Sequence, residues 1–166
     1  MSCAMCHIPE QGFTNNELAR PIGSQGRGLK RNAPTILNVV YYQRLFADLR
    51  EFSLEQQVWS PLLASNEMNN SSIGYVIETI LNARDYAGLF QQAFGGPVTM
   101  RSVGQALAQY ERTLISGDSR FDRWLYANEP LALISSETLG YQLFTGKGGC
   151  SSCHLIQKDH ALFTDQ

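Results

Sequence analysis

Two short stretches, Cys3-Ala4-Met5-Cys6-His7 and Cys150-Ser151-Ser152-Cys153-His154, decide the reading of this 166-residue chain. Together they use all four cysteines and two of the three histidines, so no cysteine is left for a disulfide. Two thiols about one turn apart can add across the two vinyl groups of a haem, and the imidazole beside the second thiol then falls beneath the iron. A zinc ribbon would need its two Cys-x-x-Cys pairs roughly 15–20 residues apart, and a thioredoxin-like site would need a βαβ context. The sequence meets neither condition. The pattern therefore points to two covalently bound c-type haems. One is on Cys3 and Cys6 with His7 as iron ligand, and the other is on Cys150 and Cys153 with His154 as iron ligand.

Each motif has an echo downstream. Ile8 and then Phe13-Thr14-Asn15 follow the first; Leu155 and then Phe163-Thr164-Asp165 follow the second, with three more residues between His and Phe. Repetition of this kind implies two related haem-binding units. The second stops close to where the first begins its wrapping loop. Its distal wall and any sixth iron ligand are therefore expected outside this sequence. No signal peptide precedes Cys3, yet bacterial c-type haems are attached after export. The expectation is a sequence lacking its front end and a periplasmic protein.

Between the motifs the pattern is helical with long loops, and no segment alternates convincingly enough for a sheet. Ser53 with Gln56 has the spacing of a capping box. Ile73, Val76, Ile77, Ile80 and Leu81 mark one helical face. A second helix is expected over 85–94, stopped by Gly95-Gly96-Pro97. Thr99 is expected to cap a longer helix, buried through Val103, Leu107, Tyr110 and Leu114 and stopping near Gly117. Ser135 is expected to cap a last one through Phe144. Residues 8–38 hold Pro9, Gly12, Pro21, Gly23, Gly26, Gly28 and Pro34. A loop this long usually wraps something, and a haem suits it.

Composition excludes other classes. A net charge of −2 with both signs mixed shows no basic stripe for nucleic acid. The apolar stretches fall well short of the roughly 20 residues of a membrane helix, so the chain reads as soluble. The 43% hydrophobic content is enough for a packed core.

The sequence resembles the bacterial di-haem cytochrome c peroxidase and MauG group. The run 31–38 (Arg-Asn-Ala-Pro-Thr-Ile-Leu-Asn) carries the likeness. So do Leu54-Glu55-Gln56-Gln57, Pro61, Asn66-Glu67-Met68, Tyr110-Glu111-Arg112-Thr113-Leu114, Phe121-Asp122-Arg123 and Leu143-Phe144, in family order over nearly the whole chain. The resemblance implies an all-α architecture: a cytochrome c-like domain with long loops over 1–130, the peroxidatic one, and the start of a second over 131–166. It implies reduction of hydrogen peroxide at the first haem, with electrons passed through the second from a small cytochrome c or cupredoxin. Glu67 matches the glutamate that moves a proton between peroxide oxygens, and Gln57 matches a glutamine that orients the oxidant. Asn32 matches a position whose backbone oxygen binds calcium, with partner ligands outside residues 1–166.

Two departures from the family stand out. Members with a switchable first haem place a His in the loop before Asn32. By spacing that position is Ser24, and no His lies between His7 and His154. The first haem would then be open to peroxide without activation. Many members also have Phe-Trp-Asp-Gly-Arg, with the Trp as an inter-haem relay; here the run is Phe46-Ala47-Asp48-Leu49-Arg50, which bears on the speed of inter-haem transfer. MauG-like oxidation of a partner protein, a non-catalytic electron-carrying subunit, and a neighbouring chain that completes the second pocket are the alternatives.

Single residues carry less. An isolated glutamate is usually a solvated carboxylate, and only the Asn66-Glu67-Met68 context singles out Glu67. Met68, Met100, Tyr41 and Tyr42 read as packing, and His160 as exposed. Arg112 and Arg123 suit haem propionates or the neighbouring Glu111 and Asp122.

Overall fold

The computed structural model describes residues 1–164; Asp165 of the second echo lies outside them. The chain divides into two compact units, Met1–Ile115 and Ser116 onward. The all-α expectation holds for both. Among the described residues, extended pairing is confined to three single-residue antiparallel bridges, Ile8 with Thr14, Ile22 with Gly28 and Leu45 with Glu51. Each closes a small loop in the long N-terminal segment, and each loop is turned by left-handed residues, such as Phe13, Gln25 and Phe46.

The first unit holds five helices: α1 (Leu54–Gln57), α2 (Trp59–Leu63), α3 (Ile73–Asn82), α4 (Leu89–Phe94) and α5 (Met100–Thr113). Ser53 caps α1 by accepting a hydrogen bond from the backbone N–H of Gln56 (3.3 Å). Thr99 caps α5 in a reciprocal box with Ser102. Two-way boxes of this kind satisfy donors that the first helical turn leaves without partners. Val58, Trp59, Val76, Phe90 and Val103 form one buried cluster, with Ile73, Ile80 and Leu107 packed on it. Leu45, Leu54 and Ala108 form a second, flanked by Val39 and Tyr42. Each fully buried large aliphatic or Phe side chain is worth about 1.5–3 kcal/mol.

Several expectations are corrected. The helix expected over 85–94 is broken by Gly88 at φ +77°, leaving a 3₁₀ turn at Arg84–Tyr86 ahead of α4. Leu81 is exposed, as are Tyr41 and Met100. The long helix ends at Thr113, not near Gly117. Its buried face also differs: Tyr110 is exposed, while Gly104 and Ala108 are buried. The reason is the closeness of α1. A Cβ on Gly104 would lie 2.6 Å from the carbonyl oxygen of Glu55, and Ala108 is 0% exposed. The seam accepts only small residues.

The second unit contains α6 (Arg120–Leu125) and α7 (Ser135–Thr145). This compact unit begins at Ser116, and within it α6 packs on α7. The Arg120 guanidinium donates to Glu137 (Nη1 to Oε1, 2.7 Å) and to the Ala132 carbonyl (2.9 Å). The rings of Phe121 and Trp124 meet Tyr141, Trp124 at 4.9 Å between centroids. Ser135 is the first residue of α7 and not its cap. Instead the Glu137 carboxylate reaches back to the Ile134 N–H (2.9 Å). No helix among the described residues is long and apolar enough to cross a membrane.

Candidate active site

The two Cys-x-x-Cys-His motifs fold alike. Cys3–Met5 and Cys150–Ser152 each form a 3₁₀ turn. In each, the histidine N–H closes back on the first cysteine's carbonyl, His7 on Cys3 at 2.9 Å and His154 on Cys150 at 3.0 Å. The His7 Nδ1 lies 3.1 Å from the Phe13 carbonyl oxygen, and the His154 Nδ1 lies 2.8 Å from that of Phe163. A carbonyl oxygen can only accept, so Nδ1 carries a proton, and in the neutral imidazole Nε2 keeps its lone pair. Orientation of a metal-binding imidazole by a backbone carbonyl is a familiar second-shell device. Both phenylalanines adopt left-handed backbone, φ +58° and +55°, at a cost of about 1–2 kcal/mol each for a residue with a Cβ. That cost turns each carbonyl onto its imidazole. Two thiols one turn apart beside an imidazole with a free Nε2 are the donor set a c-type haem requires, and both motifs supply it.

The wrapping loop of the first unit is tied down by side chains. Thr14 Oγ1 donates to the Ala33 carbonyl (2.5 Å), Thr35 Oγ1 to that of Gly12 (2.6 Å), and Asn32 Nδ2 to that of the buried Asn15 (2.8 Å). Asn32 Oδ1 accepts from the Ala33 N–H. Its side chain is thus engaged within the loop.

Glu67 follows α2 and is half-buried. Burial pushes its carboxyl above the ordinary range, opposed by the positive charge of Arg50 and by His7. Its charge also reaches Cys6, whose thiol is pushed up by burial first and by Glu67 second. Glu67 thus lies within electrostatic reach of the first motif. Gln57, the last residue of α1, is half-buried as well. Arg50 is itself held, bidentate on Asp48 (2.7 and 2.8 Å) and stacked 3.5 Å over the Phe46 ring.

Three buried polar atoms lack a hydrogen-bond partner among the described residues: Glu111 Oε2, Arg112 Nη1 and Arg123 Nε. The sequence offers Glu111 only as a neighbouring partner for Arg112. Instead Arg112 pairs with Glu55 (2.8 Å), and burial raises the Glu111 carboxyl to about 7. Arg123 lies 4.0 Å from Glu129, not against Asp122. His160 is exposed and paired with Asp159 at 2.7 Å.

Comparison with known proteins agrees with this geometry. Residues 1–130 match the model of the di-haem cytochrome c peroxidase family. The chain is 40% identical over 156 residues to methylamine utilization protein MauG of Methylorubrum extorquens, covering 93% of this chain and 43% of that protein. It is 35% identical over 156 residues to cytochrome c551 peroxidase of Nitrosomonas europaea, covering 93% and 45%. The crystal structure of the diheme peroxidase BthA from Burkholderia thailandensis superposes with a TM-score of 0.87 at 29% identity, over 99% of this chain and 48% of that one. The chain thus spans under half the length of these relatives. With the family match and the paired motifs in agreement, the chain belongs to the di-haem cytochrome c peroxidase family.

Proposed function

We propose that this chain reduces hydrogen peroxide to water at a haem c held by Cys3, Cys6 and His7, with electrons delivered through a second haem c held by Cys150, Cys153 and His154. Bound haem iron supplies a site for peroxide and a store of electrons for breaking its O–O bond. The overall conversion consumes two electrons and two protons per peroxide and yields two waters. Glu67 carries the reading. It is a half-buried carboxyl within electrostatic reach of His7 and Cys6, and burial raises its pKa above the ordinary range. Such a group can take a proton from one peroxide oxygen and return it to the other. Gln57 orients the oxidant. Ser24 in place of a histidine leaves the first site open without activation. The electron donor is a small cytochrome c or cupredoxin, and the compartment is the periplasm.

A MauG-like reading, in which the oxidising equivalents are drawn from a residue of a partner protein, is favoured by the 40% identity to a MauG. The test is steady-state oxidation of reduced cytochrome c by peroxide. Rapid turnover that falls about 10²–10⁴-fold in Glu67→Gln supports the peroxidase with Glu67 as its acid–base group. Turnover near background in the wild type supports the MauG-like reading, and a Glu67→Gln variant as fast as wild type removes Glu67 from the chemistry.

A further inference from the structure

We propose that Gly23 and Ser24 are positioning residues for Glu67, clamping its backbone from a loop more than forty positions away in sequence. The inference rests on the role assigned to Glu67. The Ser24 N–H donates to the Glu67 carbonyl oxygen at 2.8 Å, while the Glu67 N–H donates to Ala64 at 2.9 Å in the turn after α2. Both backbone groups of Glu67 are thereby fixed, one by its own turn and one by the loop. Arg27 Nη1 adds a second tie, to the Ser65 carbonyl at 3.4 Å.

Gly23 makes the approach possible. It is buried, and a Cβ on it would lie 2.0 Å from the carbonyl oxygen of Asn66 and 3.0 Å from the Cα of Glu67. Any side chain there would force the two segments apart by about an ångström, and a misplacement of that size can cost about 10²-fold in rate. The loop is stiff enough to act as a clamp. Gly23 N–H donates to Arg27 (2.8 Å) and Leu29 N–H to Pro21 (2.9 Å). Pro21 is fully buried, and Gln25 and Gly26 sit at φ +59° and +72°. The nearby Gly28 has open space around its Cβ position and serves as a control in the same loop.

The experiment compares haem-loaded Gly23→Ala, Ser24→Pro, Gly28→Ala and Glu67→Gln with wild type. Proline at Ser24 removes the N–H donor and puts its Cδ where the Glu67 carbonyl oxygen lies, so it breaks the tie and parts the two segments. For peroxide, kcat/KM is expected to fall about 10–100-fold in Gly23→Ala. In Ser24→Pro, which loses the hydrogen bond and also displaces the Glu67 backbone, it should fall by at least about fivefold. The KM for the electron donor, the resting haem spectrum and the Gly28→Ala kinetics stay unchanged. Amide hydrogen exchange gives a readout independent of activity: Ser24 is protected in wild type and in Gly28→Ala and exchanges at least about tenfold faster in Gly23→Ala.

Wild-type peroxide kinetics in Gly23→Ala, beside an impaired Glu67→Gln, overturn the clamp. Should Gly23→Ala not fold, wild-type kinetics in Ser24→Pro overturn it equally. An unimpaired Glu67→Gln overturns the underlying role of Glu67, and the clamp's purpose with it.

Discussion

The two haem motifs share one attachment device and differ in what faces it. Both have the 3₁₀ turn, the imidazole tied by Nδ1 to a phenylalanine carbonyl, and the left-handed phenylalanine that aims that carbonyl. Around His7, which is half-buried, the chain adds a carboxyl, Glu67, and a loop fixed to it by backbone contacts. Around His154, which is exposed, it adds aromatic rings: Phe144 at 6.1 Å, itself packed on Phe163 at 6.0 Å. Under the proposed function, the first motif serves proton-coupled chemistry and the second electron passage.

The sharpest way to break this comparison is to remove each iron ligand in turn. His7→Ala and His154→Ala should both lower steady-state turnover by about 10³-fold or more, as happens when one member of an interdependent set is lost. Only His7→Ala should abolish the spectral shift of the resting protein with cyanide. A cyanide response lost in His154→Ala and kept in His7→Ala would reverse the assignment.

The next largest effect lies in the seam between α1 and α5. Ala108→Leu inserts three carbons where no space exists and should cost about 1–3 kcal/mol, read as a lowered denaturation midpoint. An unchanged midpoint would mean that the seam is looser than its contacts imply.

Glu111 gives a pH-dependent effect of roughly 1–2 kcal/mol after allowance for partial solvent screening. Its folded-state pKa is raised from 4.5 to about 7, so the native state disfavours the ionised form. Stability should be greatest below about pH 4.5 on this account and fall as pH rises toward and through 7. Glu111→Gln should flatten that fall and melt higher than wild type at pH 8. A wild-type stability that rises across the same window would contradict the shift. The smallest effect belongs to the second unit: Arg120→Ala, which removes a largely exposed pair with Glu137, should lower the denaturation midpoint least of these changes, and less still in high salt.

Much of this was legible in the sequence because covalent and capping chemistry is local. The Cys-x-x-Cys-His spacing, the Thr99 cap and the echo of Phe13-Thr14 in Phe163-Thr164 all read directly. The purpose of the echo did not, because the phenylalanine acts through its backbone carbonyl, which no side-chain identity encodes. Tyr110 was misplaced because a periodicity search rewards large apolar residues. The actual seam is set by Gly104 and Ala108, whose smallness matters only once α1 lies beside them. Gly88 broke a helix that amphipathic spacing alone would continue. Glu67 was found through its family context, whereas the tie to Ser24 depends on tertiary approach and left no local signal.

The most direct test of the central claim is the mass of the denatured protein after expression with haem-attachment machinery. The account predicts the chain plus two haems, falling to one in Cys3→Ala/Cys6→Ala and to one in Cys150→Ala/Cys153→Ala. A wild-type mass equal to that of the bare polypeptide, or one unaltered by either pair of substitutions, would contradict it.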